Sequence, residues 1–346
     1  MTRREATWLG ITAALVAIAA ICHYGGVGEV ATFVLSAVAL AALARLVAQA
    51  TEQLGARLGS GSAGVVQSAL GNLPELFISL FALHQGLIEV VQAALVGSIL
   101  ANSVLVLGIA FIVGGRRHGV QRFSSDRART ISTLALLAAA TMAMPSLTHA
   151  LHTSARAHEQ TLSLICAGVL LVVFFATLPM FLRPAEGEEH EPPHWSAATT
   201  TAVLASAGIA AAFTSDWFVD ALTPAIHTLH MSEVFAGLVV VAIAGNAVEN
   251  VVGVQLAAQN KPDFAISVII SSSLQVALAL TPALVFISLL FSTHLTLVFQ
   301  PLLALVLLIS AILGALVVND GESTWQEGVV LVGFYTVVAT SFWWGA

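Results

Sequence analysis

The sequence predicts an all-α integral membrane protein of eleven transmembrane helices, a lone first helix followed by two inverted five-helix repeats. Three observations predict it. Of 346 residues, 58% are hydrophobic and only 9% charged, where soluble domains carry about 25% charged residues. Apolar runs long enough to cross a bilayer recur from end to end. One short acidic motif occurs twice, in segments separated by an odd number of spans. A chain this long can bury a large core and keep its charges, so lipid must be the solvent for most of its surface. The mean hydropathy of +0.93 agrees.

A helical span needs about 20 mostly apolar residues. Candidates fall at about 8–24, 29–50, 63–84, 89–114, 130–148, 160–182, 197–222, 233–258, 263–290, 296–318 and 325–345. These runs are far longer than the roughly 10-residue alternating strands of a membrane barrel. The first run follows Arg3-Arg4 and imitates a signal peptide. It lacks a small-residue cleavage site followed by a polar start, so an uncleaved first span is expected.

The positive-inside rule tests the layout. With the N-terminus inside, Arg3, Arg4, Arg45, Arg57, Arg116, Arg117, Arg122, Arg127, Arg129, Arg183 and Lys261 share one face, and only Arg156 of the 12 basic residues lies outside. Eleven of twelve on one side is hard to obtain from a wrong span count. The layout expects a plasma (inner) membrane protein with a cytoplasmic N-terminus and its C-terminus on the opposite side. The expected divisions are 1–28 for the first helix, 29–183 for the first repeat, 184–195 for a cytoplasmic linker and 196–346 for the second repeat. The linker carries Glu186, Glu188, Glu189 and Glu191. It reads as a solvated connection or as an element that collects or senses cations.

Composition also excludes. Cys22 and Cys166 have no metal or redox spacing, and both read as small apolar core residues. No basic run with interleaved aromatics supports nucleic-acid binding. The 11 histidines lie mostly in loops or at span ends. His190 and His194, beside the linker acids, titrate near physiological pH in principle, but solvated loop histidines are the simpler reading.

The repeat is Gly71-Asn72-Leu73-Pro74-Glu75 and Gly245-Asn246-Ala247-Val248-Glu249, both Gly-Asn-x-x-Glu and 174 residues apart. The span after each carries small polar residues, Gly97-Ser98-Ile99-Leu100-Ala101-Asn102-Ser103 in one and Ser271-Ser272-Ser273-Leu274-Gln275 in the other. An acid precedes each, Glu52 and Asp216. Five spans per repeat force the second to enter the membrane the opposite way. That inverted arrangement places transporter sites at mid-membrane, where the repeats meet.

A carboxylate at the bilayer centre costs about 2.5–3.5 kcal/mol on insertion scales, so one at the same motif position in each repeat is being used. In a helix, Asn72 and Glu75 share a face, as do Asn246 and Glu249. With Ser98, Asn102, Ser272 and Gln275 they make an all-oxygen set bearing two negative charges. Such a set suits Ca²⁺, which takes six to eight oxygen ligands; softer metals call for Cys or His. Pro74 would loosen the local backbone and free a carbonyl. Desolvation and mutual repulsion also make paired carboxylates proton acceptors, so protons and Ca²⁺ compete for Glu75 and Glu249, and that competition suffices for antiport. Ser98, Asn102, Ser272 and Gln275 serve as ligands or simply as hydrogen bonds between helices. Glu52 and Asp216, read as lying near span ends, serve as a gate or proton path or as interfacial acids facing water.

These residues carry a resemblance. Ala50-Thr51-Glu52-Gln53-Leu54, Gly71-Asn72-x-x-Glu75, Gly97 to Asn102, Gly245-Asn246-Ala247-Val248-Glu249 and Ser272-x-x-Gln275 resemble the two α-repeat regions of the cation/proton exchanger family, within the Ca²⁺/cation antiporter superfamily. The likeness runs from about Phe33 to the C-terminus. Ser271, Asn250 and Leu73-Pro74 differ from the family pattern. The resemblance implies eleven helices, two inverted repeats and Ca²⁺/H⁺ antiport without a cofactor, with Glu75 and Glu249 carrying cation and protons. The partners implied are the lipid bilayer and the transported ions. A Na⁺-coupled or Na⁺/H⁺ antiporter of the same superfamily is the nearest rival, and a passive channel would share the polar residues. No enzyme is expected, because no nucleophile–base pair or paired Asp-rich metal motif is visible.

Overall fold

The computed structural model describes residues 2–58, 70–181 and 193–345, so most of the acidic linker lies outside the described residues. The described residues are mostly helical. α1 (Arg3–Gly25) starts on a capping box of Thr2 and Glu5 and stops at Gly26, whose φ of 63° suits glycine. α2 (Glu29–Leu58), α3 (Leu73–His84), α4 (Ile88–His118), α5 (Ser125–Ala150) and α6 (Glu159–Phe181) complete the first half. The second half holds α7 (Ala197–Leu229), α8 (Glu233–Gly245), α9 (Ala247–Ala258), α10 (Pro262–Leu290), α11 (Pro301–Val317) and α12 (Trp325–Trp343). Two dipeptides, β1 (Gln121–Arg122) and β2 (Glu322–Ser323), pair antiparallel. Among the described residues, seven helices are long and apolar enough to cross a membrane, or eight with α8 and α9 taken as one bent span. The shorter α3 and α11 are apolar as well. The molecule is a multi-pass α-helical integral membrane protein.

Two compact units divide the chain. The first comprises residues 1–82, 175–230 and 244–248. Ala207 and Ala211, one turn apart on α7, face Leu43, Leu46 and Val47 of α2, and Leu73 and Phe77 of α3 pack against the same cluster. Small residues at this spacing let helices approach closely in lipid, where apolar surface alone gives little drive to associate. The Phe33 and Phe218 rings stack at 4.9 Å in the same unit.

The chain entering α7 is tied to α1 and α2 by polar contacts. Glu5 accepts from His194 Nε2 at 2.8 Å, Trp195 Nε1 at 3.1 Å and Gln49 Nε2 at 3.3 Å. Gln53 Oε1 accepts from the backbone N–H groups of His194 and Trp195 at 3.1 and 3.2 Å, and Arg57 donates to the Trp195 carbonyl. His194 is therefore held in a hydrogen-bonded clasp, where the sequence favoured a solvated loop histidine.

The second unit comprises residues 83–174, 231–243 and 249–346. Within it, α4 and α8 approach closely. A Cβ on Gly97 would lie 2.2 Å from the Leu238 carbonyl oxygen, and one on Gly237 would lie 2.3 Å from that of Val90. Neither position has space for a methyl group. Between α10 and α11 the chain runs extended and buried, with Leu295, Leu297 and Phe299 each 3% exposed or less. Side chains supply the hydrogen bonds that helix would have supplied. Gln92 donates to the Thr296 and Val298 carbonyls at 2.9 and 3.1 Å. Ser146 donates to the Leu297 carbonyl and accepts from Phe299 N–H, while Ser163 and Ser288 accept from Leu297 and Leu295 N–H.

Four sequence boundaries shift. The span expected from 296 begins as helix only at Pro301, because the residues before it are pinned as extended chain. The helix expected to end near 222 continues to Leu229, so Asp216 lies well inside α7 and not near a span end. Within the span expected over 63–84, Gly71 and Asn72 form a turn from which α3 starts afresh at Leu73. The span over 233–258 is broken at Asn246 and bends by 65° between α8 and α9.

Gly97→Ala and Gly237→Ala are each expected to destabilise the second unit by about 1–3 kcal/mol, the usual range for overpacking a tight contact. Thermal unfolding of purified protein in detergent checks this, with Gly10→Ala as control, since a Cβ there meets nothing within 4 Å.

Candidate cation-binding site

Both copies of the motif do the same thing to the backbone. Gly71-Asn72 forms a turn from which α3 starts; Asn246 interrupts the helix between α8 and α9. In each copy the glutamate occupies the first turn of the new helix, at the positive end of its dipole. The sequence placed Asn and Glu on one continuous helical face. The structure puts each Asn in the turn and only the Glu in the helix. Pro74 sits in the first turn of α3, where the missing N–H costs nothing. Asn72 accepts the Leu76 N–H at its carbonyl at 2.9 Å, which leads the chain into α3.

In the first unit, Glu75 is 1% exposed and Asn246 fully buried. Asn246 Nδ2 donates to Glu75 Oε2 at 3.5 Å. Glycine at 245 allows this approach, because a Cβ there would stand 3.3 Å from Glu75 Cβ. So a carboxylate from the first motif meets an amide from the second, 171 residues away. Asn72 is also buried in this unit.

The second unit holds the other half of the expected set. Asn102, 1% exposed, donates from Nδ2 to Ser272 Oγ at 3.0 Å, again joining one half of the chain to the other. That bond uses the donor side of the amide and leaves its carbonyl oxygen as the atom type a hard cation needs. Asn102 lies in a π-helical stretch of α4, Ala101–Val106, and Gln275 borders a second one in α10, Val276–Leu280. Such bulges widen the helix and recur at functional sites. Ser98 is fully buried, whereas Gln275 and Glu249 are half-buried. Of the two preceding acids, Glu52 is exposed near the end of α2 and Asp216 is half-buried inside α7.

Two polar residues outside the predicted set lie beside it. Asn250 Oδ1, one residue after Glu249, is buried and makes no hydrogen bond, as is Ser79 Oγ one turn beyond Glu75. Helical spacing from the motif glutamates was the available signal, a weak one because serine is common in membrane helices. Among the described residues no group of three His, Cys, Asp or Glu side chains could hold a metal ion. Any cation held by the predicted residues would be held by carboxylate, amide and hydroxyl oxygens.

The sodium/calcium exchanger protein family matches residues 28–183 and 199–344. The chain belongs to that family. The two matched stretches begin 171 residues apart, close to the 174-residue spacing of the Gly-Asn-x-x-Glu motifs. This exchanger is 35% identical over 322 residues to the Ca²⁺/H⁺ antiporter ChaA of Bacillus subtilis (strain 168), covering 90% of this chain and 91% of that one. It is 32% identical over 346 residues to a Ca²⁺/H⁺ antiporter of Synechocystis, covering 92% of each. Among solved structures, native YfkE superposes with a TM-score of 0.84 at 30% identity, covering 97% of this exchanger and 99% of that chain. Family membership makes the chain a transporter and not an enzyme.

A double-mutant cycle of Asn102→Ala and Ser272→Ala tests the buried pair. Each single change is expected to destabilise the exchanger by about 1–3 kcal/mol by leaving one buried partner unsatisfied. The pair should couple by at least about 0.5 kcal/mol in thermal unfolding.

Proposed function

We propose that this exchanger moves Ca²⁺ across a membrane against protons, with Glu75 and Glu249 as the two carboxylates over which cation and protons compete. The observation that carries the reading is the recurrence of Gly-Asn-x-x-Glu at both helix breaks. It stands in a chain 35% identical, over nine-tenths of both lengths, to a protein named as a Ca²⁺/H⁺ antiporter. Asn72, Asn246, Ser98, Asn102, Ser272 and Gln275 contribute further oxygens, and Glu52 and Asp216 serve the gate or proton path. The reading includes eleven crossings in two inverted five-helix repeats after a lone first helix, with the N-terminus in the cytoplasm of a plasma-membrane protein and the C-terminus on the other side. Basic residues crowded on one face support that orientation.

Physical chemistry explains why such a pair exchanges. Bare carboxylates resist a low-dielectric interior, and either protons or a divalent cation remove the charge that resists. Only the neutralised forms cross readily, so each crossing carries one cargo or the other. The transported ions are the substrates, and no cofactor is needed.

The test is Ca²⁺ uptake into everted vesicles under an imposed pH gradient. Glu75→Gln and Glu249→Gln should each abolish driven uptake while the protein still reaches the membrane. In the wild type, the Ca²⁺ concentration for half-maximal uptake should fall as pH rises on the Ca²⁺-loading side, since fewer protons then occupy the carboxylates. Uptake driven equally well by a sodium gradient would replace this reading with the Na⁺-coupled one, and flux indifferent to either gradient would indicate a passive pore.

A further inference from the structure

In the second unit, α9 carries Glu249 in its first turn and is itself lightly packed. Gly253 and Ala257 are its buried residues, while Val251 and Val252 are 50% and 38% exposed. Gly253 rests on α10, where a Cβ would stand 2.5 Å from Ile269 Cγ1. Glu249, Gly253 and Ala257 follow at four-residue steps and so lie along one side of the helix.

The last turn of α9 is closed by hydrogen bonds from two sources. Its own chain forms a Schellman motif: Lys261 N–H donates to the Leu256 carbonyl at 3.0 Å and Asn260 N–H to the Ala257 carbonyl at 3.1 Å, with Asn260 at φ 59°. Further donors come from the end of α4 and the strand after it. Gln121 Nε2 donates to the Ala257 carbonyl at 3.1 Å and to Asn260 Oδ1 at 3.0 Å. His118 Nε2 donates to the Ala258 carbonyl at 3.0 Å. A carbonyl oxygen only accepts, so both side chains present N–H here. Gln121 is 3% exposed. In β1 it stands opposite Ser323 and is buried, while the next residue, Arg122, is exposed, the alternation of a strand. Gly114 of α4 leaves the amide its room, since a Cβ there would lie 1.9 Å from Gln121 Oε1. Gln121 thus ties α4 to the end of α9.

We infer that Gln121 is a positioning residue for exchange. With Asn260 and His118 it fixes the C-terminal end of α9, and through that helix it sets where Glu249 stands. Gln121 acts through α9 and not by touching the ion. The inference rests on the reading that Glu249 carries cation and protons. From Glu249 to Ala257 a helix covers about 12 Å, so a tilt released at one end displaces the other.

Ca²⁺ uptake into everted vesicles under a pH gradient separates positioning from simple support. A residue needed only for stability changes the amount of exchanger and hence the maximal rate, and leaves the half-maximal Ca²⁺ concentration where it was. Gln121→Met keeps the length and volume of the side chain but donates nothing, and should raise that concentration about threefold or more. Asn260→Gly should raise it by a smaller factor. Glycine suits the left-handed backbone there, so the helix end is kept and only the bond from Gln121 is lost. An unchanged half-maximal concentration in Gln121→Met overturns the inference. Should Gln121→Met not reach the membrane, Asn260→Gly decides by the same criterion. Glu249→Gln, measured alongside, tests the underlying reading separately. Driven uptake that survives in Glu249→Gln removes that reading and this inference with it. Uptake lost in Glu249→Gln, with wild-type affinity in Gln121→Met, removes the inference alone.

Discussion

Inside a bilayer no water is available to satisfy a backbone N–H or C=O, and each one left unpaired costs several kcal/mol. That constraint shapes every element here. It makes most of the described residues helical, and where the helix stops it requires a substitute. The extended stretch before α11 is the plainest case: Gln92, Ser146, Ser163 and Ser288 reach in and take over the hydrogen bonds the helix would have made. Polar side chains in such an environment need a reason, and here the reason is structural.

The two motif breaks answer the same constraint for a different purpose. Asn72 stands in the turn that leads into α3 and Asn246 at the break between α8 and α9, and helix begins at the next residue in each. Irregular backbone at membrane depth persists only where protein or a cavity surrounds it. A break at that depth is therefore kept short and followed at once by helix. A glutamate in the next first turn puts the negative charge beside that break and at the favourable end of the helix dipole.

Close packing makes the two halves of the sequence into one machine. Glu75 meets Asn246, and Asn102 meets Ser272, pairs 171 and 170 residues apart. Both rely on small residues. Gly245 gives Glu75 its space, and Gly97 and Gly237 bring α4 and α8 to backbone contact in the second unit. Neither half could present these pairs alone, which is why a duplicated motif gives more than two copies of a weak site.

Much of this was legible in the residues. Charge depletion and run length fix membrane residence, since they measure total transfer free energy and need no knowledge of packing. The matched Gly-Asn-x-x-Glu motifs, and the family likeness built on them, singled out Glu75 and Glu249 because a carboxylate within a membrane span is costly to place there. What the sequence could not decide was backbone path. Hydropathy is blind to whether a run is one helix or two, so the 65° bend between α8 and α9 and the restart at Leu73 passed as continuous spans. Asp216 was read as lying near a span end, because a window average cannot see a helix persisting to Leu229. Asn250 and Ser79 gave only a weak signal, their helical spacing from the motif glutamates, since a lone hydroxyl or amide gains meaning only from what stands opposite it. Composition and motif recurrence, read along the chain, determined that this protein lives in lipid and carries one acidic motif twice. Partnership between residues some 170 positions apart is a property of three-dimensional contact, and only the tertiary structure decided it.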